Sequence, residues 1–564
     1  MTWMGVPYRG PKVKVANSPG KSQVAFSVSQ WGFTAVNCRL AGCLLLLLLP
    51  QVDPSRQIDS RAGSQKAGSD ALKLFNAIPV STHSVEANRF LELAFDKYES
   101  GLLDDALVHA KHATEQDKQY PLAYAFLAYA GQRAIPDTNA LGLAKSLAAR
   151  ATPDEQLLVR WMTSVEEGDL LPAILTMNNL LKRYPTNKHI LYLASEWLYV
   201  QQDYDRARQL METTIDVDPN FAPTLNLLGY AYLETGKPDP TKAIAALKRS
   251  AELQPGQPNP EKSLAEILRS TGDDQGSVEH YGRALQLDPT FVGARVGLAD
   301  TLTLMGDYSD ARDQYDRAAS LAESPRDRYH AEYQKSLVFF WEGRSLEGRK
   351  SLESLLEKAR ADNEPYAQFE VGFGVALLAQ NAADELVQLK SLESFLQGPV
   401  PGMSEVDRNA SLGSVWRERA RAYAASGDLE GAGVTVHQLE ELAARTRDMV
   451  VENTYESAHG YALFAQGDIT SAADELLTDL RNPLVLRQFI LAQERLGNSD
   501  GAEASRTRLK FLRGSTVEWF LVAGSTSVTS TAFGASGDAS LSRSARFRNS
   551  RGLFFALRFA GLRV

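Results

Sequence analysis

Pro185, Pro219, Pro255 and Pro289 follow one another at intervals of 34, 36 and 34 residues. This spacing constrains the chain more than any other feature. A fixed period of such length implies one supersecondary unit stacked many times, not a single core. Each unit of a stack touches only its neighbours. The product is a long exposed surface, which favours an interaction role over a central catalytic pocket. The 564 residues also exceed what one ordinary core serves.

Within each interval the pattern is a helix, a tight turn and a second helix. In 292–325, Arg295, Leu298, Ala299 and Leu302 recur with helical spacing, and Gly306 ends the run. Asp307 and Tyr308 make a turn, and Ala311, Tyr315, Ala318 and Leu321 mark the second helix. Small residues at the eighth and twentieth positions let the two helices approach; larger ones at the eleventh and twenty-fourth fill the space between neighbouring pairs. The register gives Ala265, Leu268, Gly272, Tyr281 and Ala284 in 258–291. In 222–257 it gives Gly229, Tyr232, Gly236, Ala243 and Leu247, with a two-residue turn insertion around Pro238 and Pro240. In 188–221 it gives Leu198, Tyr204, Ala207 and Met211, and in 154–187 Trp161, Gly168, Ala173 and Met177.

Five successive units sharing these positions resemble the tetratricopeptide repeat, whose signature W-x2-L-G-x2-Y, then A, F and P, has a period of about 34. The resemblance implies an all-α fold, a right-handed α-solenoid of antiparallel helix pairs. It also implies a non-enzymatic scaffold that holds a protein or peptide in its concave groove.

The flanks are more degenerate. A glycine followed five places later by alanine recurs at Gly101/Ala106, Gly427/Ala432, Gly467/Ala472 and Gly497/Ala502, which extends the array over 86–514 in eleven or twelve units. Residues 122–153 and 327–400 keep helical periodicity with few signature residues. Gly398-Pro399-Val400-Pro401-Gly402 reads as a break between repeats 86–398 and repeats 399–514. Residues 515–564, with six arginines, no lysine and many serines, read as a disordered tail.

Composition narrows the partners. A net charge of -9 spread along the chain argues against nucleic acid, which needs clustered Lys and Arg. The two cysteines, Cys38 and Cys43, precede the array, so the body has no disulfide and no thiolate chemistry. Leu40–Pro50 is too short an apolar run to span a bilayer and suits an export signal behind Arg39. We therefore read 1–35 as an extension, 36–50 as a signal-like segment and 51–85 as a linker, with Val36 as the expected start. Leu40-Ala41-Gly42-Cys43 also matches the lipobox pattern, making lipid at Cys43 the alternative, although the apolar run follows the cysteine. The expectation is an exported bacterial protein, periplasmic or envelope-associated, and cytoplasmic if the leader does not function. Membrane contact would come only through the lipid or the signal segment.

Phosphate-loop, H-E-x-x-H, G-x-S-x-G and kinase signatures are missing, and no catalytic group, cofactor or metal is expected. Gly372-Phe373-Gly374 lacks a third glycine, and His109 with His112 reads as a solvated helix face. Asp104 and Asp105 suit a helix start. The family's carboxylate clamp needs Lys and Asn at set inward positions. Here those positions hold Tyr192 and Glu196, Asn226 and Tyr230, Lys262 and Glu266, so that mode is not expected. Met162, Tyr192, Glu196, Tyr199, Tyr230 and Leu233 instead form the candidate peptide-binding surface, an aromatic groove with acidic spots. The competing reading packs these side chains between helices. Two other roles stay open: a lipid-anchored accessory subunit of an envelope assembly, and a sensor or adaptor arm. The latter follows a looser resemblance of the C-terminal half to helical repeats attached to bacterial signalling kinases.

Overall fold

The computed structural model describes residues 72–131, 138–234 and 238–523, all within one compact unit. The leader with Cys38 and Cys43, Gly236, and residues 524–564 lie outside them. Among the described residues the chain forms twelve helix pairs and one terminal helix, Val517–Ala523. The first pair is Val85–Glu99 with Leu103–Gln116, and the twelfth is Pro483–Arg495 with Ser499–Lys510. Helices touch within each pair, and most first helices also touch the first helix of the next pair. The result is an α-solenoid. The degenerate stretches also fold as pairs: Pro121–Gly131 with Thr138–Leu147, Pro325–Trp341 with Ser345–Ala361, and Pro365–Leu377 with Ala382–Leu396.

The prolines recur because each sits second in a four-residue turn between pairs. Asn187 N–H donates to the Tyr184 carbonyl across Pro185, and Phe221 to Asp218 across Pro219. Gln257 donates to Gln254 across Pro255, and Phe291 to Asp288 across Pro289. Proline's fixed φ suits that position and cannot continue a helix. Within most described pairs the turn takes a left-handed residue, supplied by Gly306 at φ 89° in the seventh pair. In the fourth pair Gln202 adopts φ 65° there, so a side chain bears strain that glycine avoids. Asp203, Asp273, Asp428 and Asp468 then cap the second helices through their carboxylates.

The small-residue register is fully internal. Ala106, Ala173, Ala207, Ala243, Ala311, Ala432 and Ala472 are all completely buried. A Cβ on Gly229 would lie 2.4 Å from Leu247 Cγ, so the helices of the fifth pair approach as closely as glycine permits. Gly372 and Gly374 serve the same purpose, lying inside helix Pro365–Leu377 against Leu392 and Tyr333.

Three boundaries differ from the sequence expectation. The linker ends by residue 72, where Lys73–Leu74 pairs antiparallel with Ile78–Pro79. Leu74 and Ile78 are fully buried, and Thr152 Oγ1 donates to the Pro79 carbonyl at 2.6 Å. Gly398 and Gly402 do form a left-handed turn, yet one apolar cluster runs across it, joining Leu389 and Leu396 to Leu412 and Val415. The tail reading fails for 517–523, which is helical, with Val517 and Val522 buried. Six of those seven residues are apolar, so a Ser- and Arg-rich average over the tail concealed a segment able to dock.

Candidate functional site on the inner face of the array

The first helices line one face of the solenoid, and their aromatic residues interlock from pair to pair. Phe95 meets Phe126 at 4.3 Å between ring centroids, Tyr98 meets Tyr129 at 5.8 Å, and Tyr129 meets Trp161 at 5.1 Å. Trp161 meets Trp197 edge-on at 6.3 Å. Stacking successive pairs brings equivalent positions within aromatic contact distance, so a ladder forms where a groove was expected.

This ladder decides the fate of the candidate peptide-binding residues. Met162 is fully buried, and Tyr192, Glu196 and Tyr230 are at most 5% exposed. Glu196 accepts hydrogen bonds from the Tyr98 hydroxyl at 3.0 Å and the Tyr129 hydroxyl at 3.3 Å. Tyr192 packs edge-on to Phe221, and the Tyr230 hydroxyl donates to Glu266 at 2.5 Å. Tyr199 lies edge-on to Tyr204, and Leu233 packs with Tyr230, Leu264 and Ile267. The packing reading therefore holds for Met162, Tyr192, Glu196 and Tyr230, which present no free surface in this conformation. The physical reason is that neighbouring helices of the stack cover these positions. Lys262, half of one clamp position, pairs with Glu266 at 2.8 Å and is likewise buried. His109 and His112 both lie against the Phe90 ring.

Sequence reasoning missed a long-range closure. The last pairs return to the edge of the fourth to eighth pairs. Asn453 donates to Gln202 at 2.6 Å, and Arg481 pairs with Glu234 and contacts Tyr204. Arg513 forks onto both carboxylate oxygens of Asp274 at 2.6 and 2.8 Å. Ser515 donates to Asp300 at 2.8 Å, a buried carboxylate that also receives Tyr315 and Arg269. Phe520 of the terminal helix completes the seam, 5.2 Å from Trp341 and 6.0 Å from Phe340 between centroids.

Behind the seam lies a buried charge network. Arg417, 1% exposed, joins Glu418 at 2.8 Å and Asp479 at 2.9 Å. Arg421 bridges Glu418 and Glu385. Burial pushes the Glu385 carboxyl up to about 7 and that of Asp479 up to about 6. Burial would raise Glu418 too, but Arg417 and Arg421 outweigh it and hold this carboxyl below the usual range. Beside the network, the first helices of the ninth to twelfth pairs, Glu385 and the terminal helix line an open cavity of about 540 Å³.

No family model matches the sequence, and no curated protein is similar to it. Solved structures offer partial likenesses. A MamA protein shares 22% identity over 31% of this chain and 92% of its own, with a TM-score of 0.26. A tetratricopeptide repeat protein from Parabacteroides merdae shares 15% over 48% of this chain and 93% of its own, with a TM-score of 0.31. A thermophilic TPR protein from Thermus thermophilus shares 22% over 38% and 98%, with a TM-score of 0.26. These likenesses are too partial to carry an argument about function; the helix-pair packing of the chain itself is the stronger observation. By its repeat register, its proline turns and the buried small residues between its paired helices, the chain is a solenoid of tetratricopeptide-like repeats.

Proposed function

We propose that the chain is a non-enzymatic protein-interaction scaffold whose partner is a protein or peptide. The observation that carries this reading is the seam itself. The edge of the fourth to eighth pairs accepts a chain segment through an Arg–Asp fork, a Ser–Asp hydrogen bond and an aromatic contact. A surface built to hold one helical segment by these means can hold another of like chemistry: short, with one basic and one aromatic anchor. The buried charges are paired with one another, Arg417 with Glu418 and Asp479 and Arg421 with Glu418 and Glu385, which favours a rigid platform over a reactive centre. Export, with or without lipid at Cys43, stays part of the proposal and is tested by N-terminal sequencing of the native protein.

The scaffold reading is tested by cross-linking the full chain in its native cells and identifying linked peptides by mass spectrometry. Linkage of one partner, at near-stoichiometric yield, to residues of the inner face or the seam supports it. Linkage scattered over the second helices, or turnover of a small substrate by the purified chain, contradicts it.

A further inference from the structure

Three anchors near the end of the described chain run in step with the stack. Arg513 forks onto Asp274 of the sixth pair at 2.6 and 2.8 Å. Ser515 donates to Asp300 of the seventh pair at 2.8 Å. Phe520 lies 6.0 Å from Phe340 and 5.2 Å from Trp341 of the eighth, between ring centroids. Successive anchors of one segment therefore meet successive repeats, in chain order. One anchor per unit is how a stack of repeats can read a bound peptide.

The receiving side is assembled without the segment. Asp300 accepts the Tyr315 hydroxyl at 2.5 Å and Arg269 at 2.9 Å, both from the array itself. The Trp341 carbonyl takes the Tyr308 hydroxyl at 2.9 Å, which fixes the end of helix Pro325–Trp341. Asp274 opens its own helix directly behind the Asp273 cap. The occupant, by contrast, fits loosely. Residues 511–516 form no helix or strand. Val517 and Glu518 line an open cavity of about 70 Å³ with Tyr333, Phe369 and Phe373. Burial pushes the Glu518 carboxyl up to about 7, so holding this side chain inside at neutral pH is costly. Leu512 and Val522 tie the segment to the apolar cluster of the last two pairs, which makes it a tethered occupant.

We propose that residues 511–523 are a resident stand-in for a partner peptide, and that the edge of the sixth to eighth pairs recognises an arginine, a hydroxyl two residues later and an aromatic ring five residues after that. A partner carrying these anchors displaces the segment, so the resting chain is self-occupied. The inference rests on the scaffold reading and names the partner chemistry and the regulation of its seam.

The test uses the full chain and a fluorescein-labelled synthetic peptide of residues 510–523, with binding read by anisotropy. The tethered segment competes at an effective concentration of millimolar order, so the unaltered chain should take up little peptide. Arg513→Ala or Phe520→Ala in the chain weakens the occupant and leaves the receiving side whole, and should raise peptide affinity about tenfold or more. On the Arg513→Ala chain, Arg513→Ala in the peptide should weaken binding about tenfold, and Asp274→Ala in the chain should do the same. Asp274→Arg repels the chain's own Arg513; that variant should refuse the natural peptide and take one carrying Arg513→Asp. Asp274 and Arg513 are partly exposed, so their variants keep the fold, checked by circular dichroism, and keep the test decisive if Phe520→Ala does not. Peptide affinity that changes less than twofold in Arg513→Ala, or that ignores the charge exchange between Asp274 and Arg513, overturns the proposal. Cross-linking in cells can in that case still find a partner elsewhere on the array, which separates this failure from failure of the scaffold reading.

Discussion

Replacing Arg513 with alanine removes both hydrogen bonds of the fork onto Asp274 and a third, longer bond to the Leu304 carbonyl at 3.4 Å. The two charged side chains are 11% and 18% exposed, between a surface pair and a buried one. At an effective dielectric of about 20 and a separation of about 4 Å, their attraction is about 4 kcal/mol. Ordering the arginine and desolvating both groups offsets roughly half of it. Asp274 also lies in the first turn of its helix, where the exposed N–H groups stabilise a carboxylate left alone. The expected cost is therefore about 2 kcal/mol, below the 3–5 kcal/mol or so of a fully buried broken pair. The loss should be local, because a solenoid opens in sections. Hydrogen exchange followed by mass spectrometry reads it as a roughly thirtyfold faster opening of peptides within 499–523, with the first three pairs unchanged. The cycle completed with Asp274→Ala should give a coupling of about 2 kcal/mol. A coupling below about 0.5 kcal/mol, or equal destabilisation along the whole array, refutes the reasoning.

Three further outcomes follow from the packing. Tyr192→Ala combined with Tyr230→Ala should lower the thermal midpoint markedly, since truncating a buried aromatic costs about 3–5 kcal/mol; an unchanged midpoint would return these residues to a binding role. Gly229→Ala should destabilise the fifth pair by about 1–3 kcal/mol in urea unfolding, because its methyl meets Leu247. Burial pushes the Glu518 carboxyl up to about 7, above its unfolded value of 4.5. The folded state therefore holds the proton more tightly, and the stability it confers is complete below pH 4.5 and lost as pH rises through 7. Exchange protection of helix Val517–Ala523, corrected for intrinsic rates, should fall between pH 5 and 8 by at most about 3 kcal/mol, and Glu518→Gln should flatten that profile.

The units and their turns were legible in the sequence because they rest on local chemistry. Pro219 in a turn, Gly306 in a left-handed position, Asp273 at a helix start and Ala311 between helices each act within one unit. The hairpin at 73–79 was not legible, since two-residue strands are too short to show alternation. The burial of Tyr192 and Tyr230 was open in the sequence. Projection toward the inner face and contact with the next first helix are the same direction in a tight stack, and side-chain size decides which prevails. The seam was beyond reach. Arg513 and Asp274 stand 239 residues apart, and a period of about 34 says how neighbours stack, not where the array closes on itself.

That closure is the central claim, and the position of Phe520 tests it most directly. With Phe520 replaced by the photoreactive p-benzoylphenylalanine, irradiation of the dilute full chain should link position 520 to the peptide holding Phe340 and Trp341 within the same molecule. Links confined to the neighbouring twelfth pair, or formed only between two copies of the chain, would contradict it.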